Sequence, residues 1–141
     1  MRDVSTLDQL QAFALDFSKT LKPGMWVRLE GDLGAGKTTF ARFVIQSLGY
    51  DGPVTSPTYT LMREYEIGNG MRIIHIDGYR LDGTHPDPWD ASEWGDAIVF
   101  VEWPERTKLP ANRFDYQLSW TFQNDGAARA VTCSCLQPPP C

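Results

Sequence analysis

The sequence predicts an α/β fold: a mixed sheet with a parallel centre, antiparallel hairpin additions and flanking helices. Three observations carry that reading. A short apolar stretch, "MWVRLEG", runs straight into a glycine-rich segment and then a helical pattern, the strand, loop and helix unit from which parallel sheets are built. A second stretch, "DAIVFVEW", is an unbroken apolar run, as expected of a strand buried on both faces. Two pairs of strand-like segments flank Gly68-Asn69-Gly70 and Asn124-Asp125-Gly126, turn residues that join antiparallel strands.

The elements follow in order. In "STLDQLQAFALDFSKTLKPG", Ser5 or Thr6 can cap a helix whose Leu7, Leu10, Ala14, Phe17 and Leu21 recur at helical spacing until Lys22-Pro23-Gly24 stops it. From Thr38 to Leu48 the pattern is helical again, with Phe40, Val44, Ile45 and Leu48 on one face and Gly49 placed for a C-terminal cap. "DGPVTSPT" reads as loop, and "YTLMREYEI" with "MRIIHID" as a hairpin. Residues 83–94, "GTHPDPWDASEW", are rich in Pro and Asp and read as irregular. "FDYQLSWTF" alternates large apolar with polar residues, and the chain then turns back into "ARAVTCSCL".

At 141 residues, with 42% apolar and 22% charged residues, the expectation is one domain spanning 1–141 around one core, with about 136–141 a disordered tail. The net charge of -5 argues against a broad nucleic-acid-binding surface on this chain. No apolar run suits a signal peptide or a membrane span, so a cytoplasmic protein is expected. Cys133, Cys135 and Cys141 are odd in number and crowd the end of the chain, which reads as reduced thiols rather than a disulfide framework.

Residues Gly31, Gly36, Lys37 and Thr38 match the pattern G-x-x-x-x-G-K-[ST]. Each residue type has its own reason. The glycines, with Asp32, Leu33, Gly34 and Ala35 between, let successive backbone N–H groups turn inward around phosphates. Lys37 adds a positive charge, Thr38 offers a hydroxyl to Mg²⁺, and the helix entered through Thr39 presents its positive end. The pattern makes the fold P-loop NTPase-like, with Gly31 to Thr39 as the cofactor loop.

Such a loop needs an acid to complete the Mg²⁺ shell, usually at the end of a neighbouring buried strand. Asp77 ends "RIIHID" and Glu102 ends "AIVFVE". If both strands run parallel to the one before the loop, both carboxylates reach the same sheet edge. One could ligate Mg²⁺ and the other orient the attacking water; the plainer reading is that they end strands or pair with Arg80 or Arg106. "TSPTYTL" stands where nucleotide switches place a hydroxyl near the terminal phosphate, with Thr58 or Thr60 as candidates. By pattern alone, His75 and Trp103 read as core.

No Asn-Lys-x-Asp segment is present to read guanine, so ATP is favoured over GTP. A small-molecule kinase using ATP is the alternative reading, and a nucleotide-loaded scaffold a third. Four blocks, "GDLGAGKTTF", "SPTYTL", "IDGYRL" and "VEWPER", in this order, resemble the TsaE (YjeE) family, the ATPase of tRNA threonylcarbamoyladenosine biosynthesis. The resemblance implies Mg²⁺ ligands at Thr38 and Glu102, an essential acid at Asp77, a switch-like motif at Ser56, Pro57 and Thr58, and a role for Trp103. It also implies hydrolysis that is weak alone and acts on a complex of the threonylcarbamoyl transferase subunit with its non-catalytic paralogue. Contact with tRNA would be only indirect, and neither DNA nor membrane is involved. The chain departs from the family where a helical insertion usually follows the "YRL" block and where Gly126 precedes alanine rather than arginine.

Overall fold

A computed structural model describes residues 1–32, 34–54, 61–68 and 70–137. The strands are β1 (Arg2–Asp3), β2 (Trp26–Glu30), β3 (Met62–Ile67), β4 (Met71–Asp77), β5 (Ile98–Glu102), β6 (Tyr116–Gln123) and β7 (Ala128–Cys135), and the helices α1 (Leu7–Ser18) and α2 (Lys37–Ser47). One sheet holds all seven strands in the order β1-β7-β6-β2-β5-β4-β3. The inner pairs β6/β2, β2/β5 and β5/β4 are parallel, whereas β4/β3, β6/β7 and β7/β1 are antiparallel. The expected parallel centre with hairpin additions is thus the observed arrangement.

The pleat sorts the centre onto two faces. Val27, Leu29, Ile73, Ile98, Phe100 and Leu118 pack with Leu10, Phe13, Phe17, Phe40, Val44 and Ile45 of the two helices. The opposite face, with Trp26, Ile74, Ile76, Val99 and Val101, is covered by Trp94, Phe114, Trp89 and Leu109 from loops. The irregular reading of 83–94 holds apart from a short 3-10 turn at Ala91–Glu93, which Asp90 caps by accepting from the Ser92 N–H at 3.0 Å.

Local chemistry sets the boundaries. Thr6 caps α1 in a reciprocal box: its hydroxyl accepts the Gln9 N–H at 3.1 Å, while the Gln9 side chain accepts the Thr6 N–H at 2.9 Å. The helix stops at Ser18, short of the expected Leu21, because Lys19, Thr20 and Leu21 donate to the carbonyls three residues back and tighten the turn. Leu7 at the first turn is exposed, and the buried stripe is Leu10, Phe13, Ala14 and Phe17.

After α2, Gly49 adopts φ +108 where a left-handed cap is required. Two-residue β1, too short to leave a periodic signal, pairs Arg2 with Val131 and Asp3 with Ala130. Cys133 is a free, exposed thiol. The expectation of reduced thiols fails at Cys135, which is disulfide-bonded. Cys141 and the switch-like segment at 55–60, with Ser56, Pro57, Thr58 and Thr60, lie outside the described residues, as does Leu33. Among the described residues no helix is long and apolar enough to cross a membrane.

Candidate active site

The glycine-rich loop leaves β2 at Glu30 and enters α2 at Lys37. Gly34 and Gly36 have φ of +78 and +110, values that side-chain-bearing residues rarely adopt. At Gly31 the demand is also one of space: an added Cβ would lie 3.0 Å from Trp120 Cβ and 3.2 Å from its carbonyl oxygen. The loop therefore lies against β6, and its N–H groups lead into the first turn of α2, where helix geometry leaves donors without intrahelical partners.

Register brings the acids to the loop. Glu102 at the end of β5 pairs with Leu29 of β2 on one side and Asp77 of β4 on the other. Thr38 lies in the first turn of α2, above this edge, and its hydroxyl stands 3.1 Å from Glu102 Oε1 and 3.0 Å from Oε2. Glu102 is 3% exposed. A second group reaches it from within the sheet: His75 Nε2 lies 2.6 Å from Glu102 Oε2, and both side chains are buried. Sequence reasoning placed His75 in the core and missed this contact. The available signal was its place two residues before Asp77, on the same face of β4.

Lys37 is almost fully buried and donates from Nζ to the Gly31 carbonyl. Burial pushes its ammonium below the ordinary range, against the pull of Glu102, Asp77, Glu105 and Asp32. The Nζ also sits 4.1 Å from the centre of the Trp103 ring, a cation–π contact. Trp103 holds a left-handed backbone, φ 56 and ψ 51, immediately before the 3-10 turn Pro104–Arg106. Its ring packs against Tyr79 at 5.2 Å and under the Arg106 guanidinium at 5.1 Å. Arg106 donates to the Tyr79 carbonyl, so that arginine is occupied by the main chain.

Asp77 accepts the Tyr79 N–H at 3.0 Å. Burial raises its carboxyl above the usual range and the negative Glu102 adds to this, while the Tyr79 N–H, His75 and Lys37 oppose it. Gly34, Gly36, Lys37, Thr38, Thr39, Asp77, Glu102 and Trp103 all line one cleft of about 400 Å³, together with Tyr79, Arg80 and Arg129. Arg129, from β7, is a positive charge at this cleft that sequence reasoning had not singled out. Gly31 lies behind Lys37, at a smaller cleft of about 280 Å³. Ala35 is buried in the core beneath the loop, and the Asp32 carbonyl accepts the Ala35 N–H at 3.1 Å.

A parallel-centred sheet, a glycine-rich loop opening a helix at its edge and two strand-end acids beneath it define a P-loop NTPase-like α/β protein. Within that class, the family model described as threonylcarbamoyl adenosine biosynthesis protein TsaE matches residues 4–131, and the chain belongs to this family. A relative from Streptomyces coelicolor, a tRNA threonylcarbamoyladenosine biosynthesis protein TsaE, is 40% identical over 92 residues, 62% of this chain and 62% of its own length. The protein of that name from Haemophilus influenzae is 46% identical over 87 residues, 57% of this chain and 52% of its own. The matches thus span between half and two thirds of these relatives. Among solved structures, the crystal structure of Bacillus subtilis YdiB superposes with a TM-score of 0.72 at 28% identity, covering 94% of this chain and 82% of that one. The family is one of tRNA threonylcarbamoyladenosine biosynthesis, as the sequence blocks implied.

Proposed function

We propose that residues 1–141 form a single Mg²⁺-dependent ATPase domain, acting in the cytoplasm in the threonylcarbamoyladenosine modification of tRNA. The observation that carries this reading is the Thr38 hydroxyl set against both oxygens of a buried Glu102, at the mouth of the loop that holds Lys37. The donor chemistry fits magnesium. A hydroxyl and a carboxylate are hard oxygen ligands, and Mg²⁺ takes few of these, filling its octahedron with phosphate and water oxygens.

In this proposal the loop from Gly31 to Thr39 cradles the phosphates with backbone N–H groups and the positive end of α2. Lys37 exchanges the Gly31 carbonyl for the outer phosphates. Thr38 and Glu102 hold the cation, which supplies charge neutralisation on the phosphate oxygens when bound. Asp77, whose carboxyl burial makes more basic, orients the attacking water. Trp103 keeps Lys37 in place and walls the cleft, and Thr58 is assigned to the terminal phosphate. Arg80 and Arg129 line the cleft. With the positioning of the attacking water left partly to a partner, hydrolysis is expected to be slow alone and to rise on a complex of the threonylcarbamoyl transferase subunit with its non-catalytic paralogue, with tRNA touched only indirectly.

The test is phosphate release from Mg·ATP with no acceptor added, with and without the partner complex, beside the threonylcarbamoyladenosine content of tRNA from cells lacking the protein. Lys37→Ala should abolish nucleotide binding, while Asp77→Ala and Glu102→Ala should spare binding more than turnover. Full hydrolysis by both acid variants, or an unchanged nucleoside content, defeats the assignment. Phosphate transfer only to an added small hydroxyl acceptor would establish the kinase alternative instead.

A further inference from the structure

The buried imidazole of His75 has no task in the scheme above, yet it makes a short polar contact with a strand-end acid of the site. Its Nε2 lies 2.6 Å from Glu102 Oε2, with His75 1% exposed and Glu102 3% exposed. On the other side of the ring, Nδ1 is buried without a hydrogen-bond partner among the described residues. That orphaned atom settles the direction of the bond. A proton on Nδ1 would be a buried N–H with nothing to accept it, and would leave the Nε2 lone pair facing a carboxylate oxygen. The proton therefore sits on Nε2, and His75 donates to Glu102.

The two oxygens of Glu102 are thereby made unequal. Among the described residues, Oε2 receives both His75 and Thr38, whereas Oε1 receives Thr38 alone, at 3.1 Å. A carboxylate on a three-torsion side chain would otherwise pivot; a donor from β4 against one oxygen fixes its plane. The sheet register makes this possible. Asp77 pairs with Glu102 and His75 with Phe100, so an imidazole one pleat back on the same face can reach across to the end of β5.

We infer that His75 is a positioning residue for the cation site: by donating from Nε2 to Glu102 Oε2 it holds the carboxylate so that Oε1, beside the Thr38 hydroxyl, faces the metal. The inference rests on the Mg²⁺-dependent nucleotide binding proposed above. Groups that support a metal-ligating side chain commonly change metal affinity by about 10- to 100-fold when removed. Two substitutions separate positioning from mere core filling. His75→Leu keeps an apolar body and removes the donor, whereas His75→Gln keeps an N–H donor on a side chain that can reach the same oxygen.

The experiment is a Mg²⁺ titration of the binding of a fluorescent ATP analogue to the full chain, read by anisotropy, with binding in EDTA and thermal melting measured in parallel. His75→Leu is expected to raise the Mg²⁺ concentration at half-effect by about tenfold or more, to leave affinity in EDTA within about twofold, and to be rescued largely by His75→Gln. Equal Mg²⁺ dependence in wild type and both variants overturns the inference, even if His75→Leu melts lower. Equal losses with and without Mg²⁺ also overturn it, by making His75 a support of the whole cleft. Should His75→Leu fail to fold, the Gln variant decides: near-wild-type Mg²⁺ dependence supports the role, and a tenfold loss in a chain that melts normally refutes it. A wild-type chain that binds the analogue without any Mg²⁺ dependence would instead defeat the proposed cation site itself.

Discussion

Gly78 stands directly after Asp77, and its N–H donates to the Glu102 carbonyl at 2.8 Å. It is absent from the positive-φ glycines, so the position demands space rather than dihedral freedom. A Cβ there would meet the Trp103 carbonyl oxygen at 2.7 Å, Thr107 Cγ2 at 3.0 Å and the Glu102 carbonyl oxygen at 3.2 Å. Two of the three obstacles are main chain, which cannot rotate aside as a side-chain tip can. Overpacking of this kind costs about 2–3 kcal/mol, offset by about 0.4–1 kcal/mol from the stiffer unfolded chain. Gly78→Ala should therefore lose about 1–2.5 kcal/mol, a fall in Tm of roughly 4–10 °C for a chain of this size. Gly68, by contrast, has nothing within 4 Å of its added Cβ and no positive φ; Gly68→Ala should melt no lower than wild type. Thermal melts by circular dichroism compare the two. If Gly78→Ala melts with Gly68→Ala, the β4 and β5 ends are not held by the close approach described, and the argument for how Asp77, Glu102 and Trp103 keep their places fails.

Trp103, at φ 56, should reverse the usual order of small substitutions: Trp103→Gly is expected to melt about 2–4 °C above Trp103→Ala, because the left-handed strain of about 1–2 kcal/mol that only alanine retains outweighs the roughly 0.4–1 kcal/mol by which glycine loosens the unfolded chain. Thr6→Ala removes one half of the capping box of α1 and should cost about 1 kcal/mol, visible in the same melts. Asp77 gives a pH dependence with a definite sign. Its carboxyl is raised from the ordinary 3.8 chiefly by burial, so between 3.8 and the raised value the folded chain keeps a proton that the unfolded chain has released. That contribution to stability is present at low pH and lost as pH rises through the raised value. Asp77→Asn should consequently raise Tm at pH 7, with the gain shrinking toward pH 4; a gain that grows on acidification refutes the burial argument.

Long-period signals survived the passage from sequence to structure, and contacts across the sheet did not. The apolar runs of β4 and β5 were legible because both faces of those strands are covered, and the loop was legible because its glycines, Lys37 and Thr38 are contiguous. The end of α1 was misjudged since Leu21 still packs on the core from outside the helix, so apolar spacing continued past the last helical residue. Composition gave His75 to the core and was correct about its burial. Its donation to Glu102 depends on the β4/β5 register, and no local pattern encodes which residue of one strand stands beside which residue of another. Arg129, far along the chain from Lys37, comes to the cleft through β6/β7 pairing and was invisible for the same reason.

The position of β2 also governs how the protein comes into being. Its two neighbours are β5 and β6, and the residue that faces Thr38 comes 64 positions later in the chain. While a ribosome has released only the first half of the sequence, the glycine-rich loop has neither flanking strand to rest on and no acid opposite its hydroxyl. Closing contacts that distant is slow, and a nascent chain therefore acquires its cleft late and all at once. The young polypeptide passes through synthesis without this cleft, which forms only when β5 and β6 have joined β2.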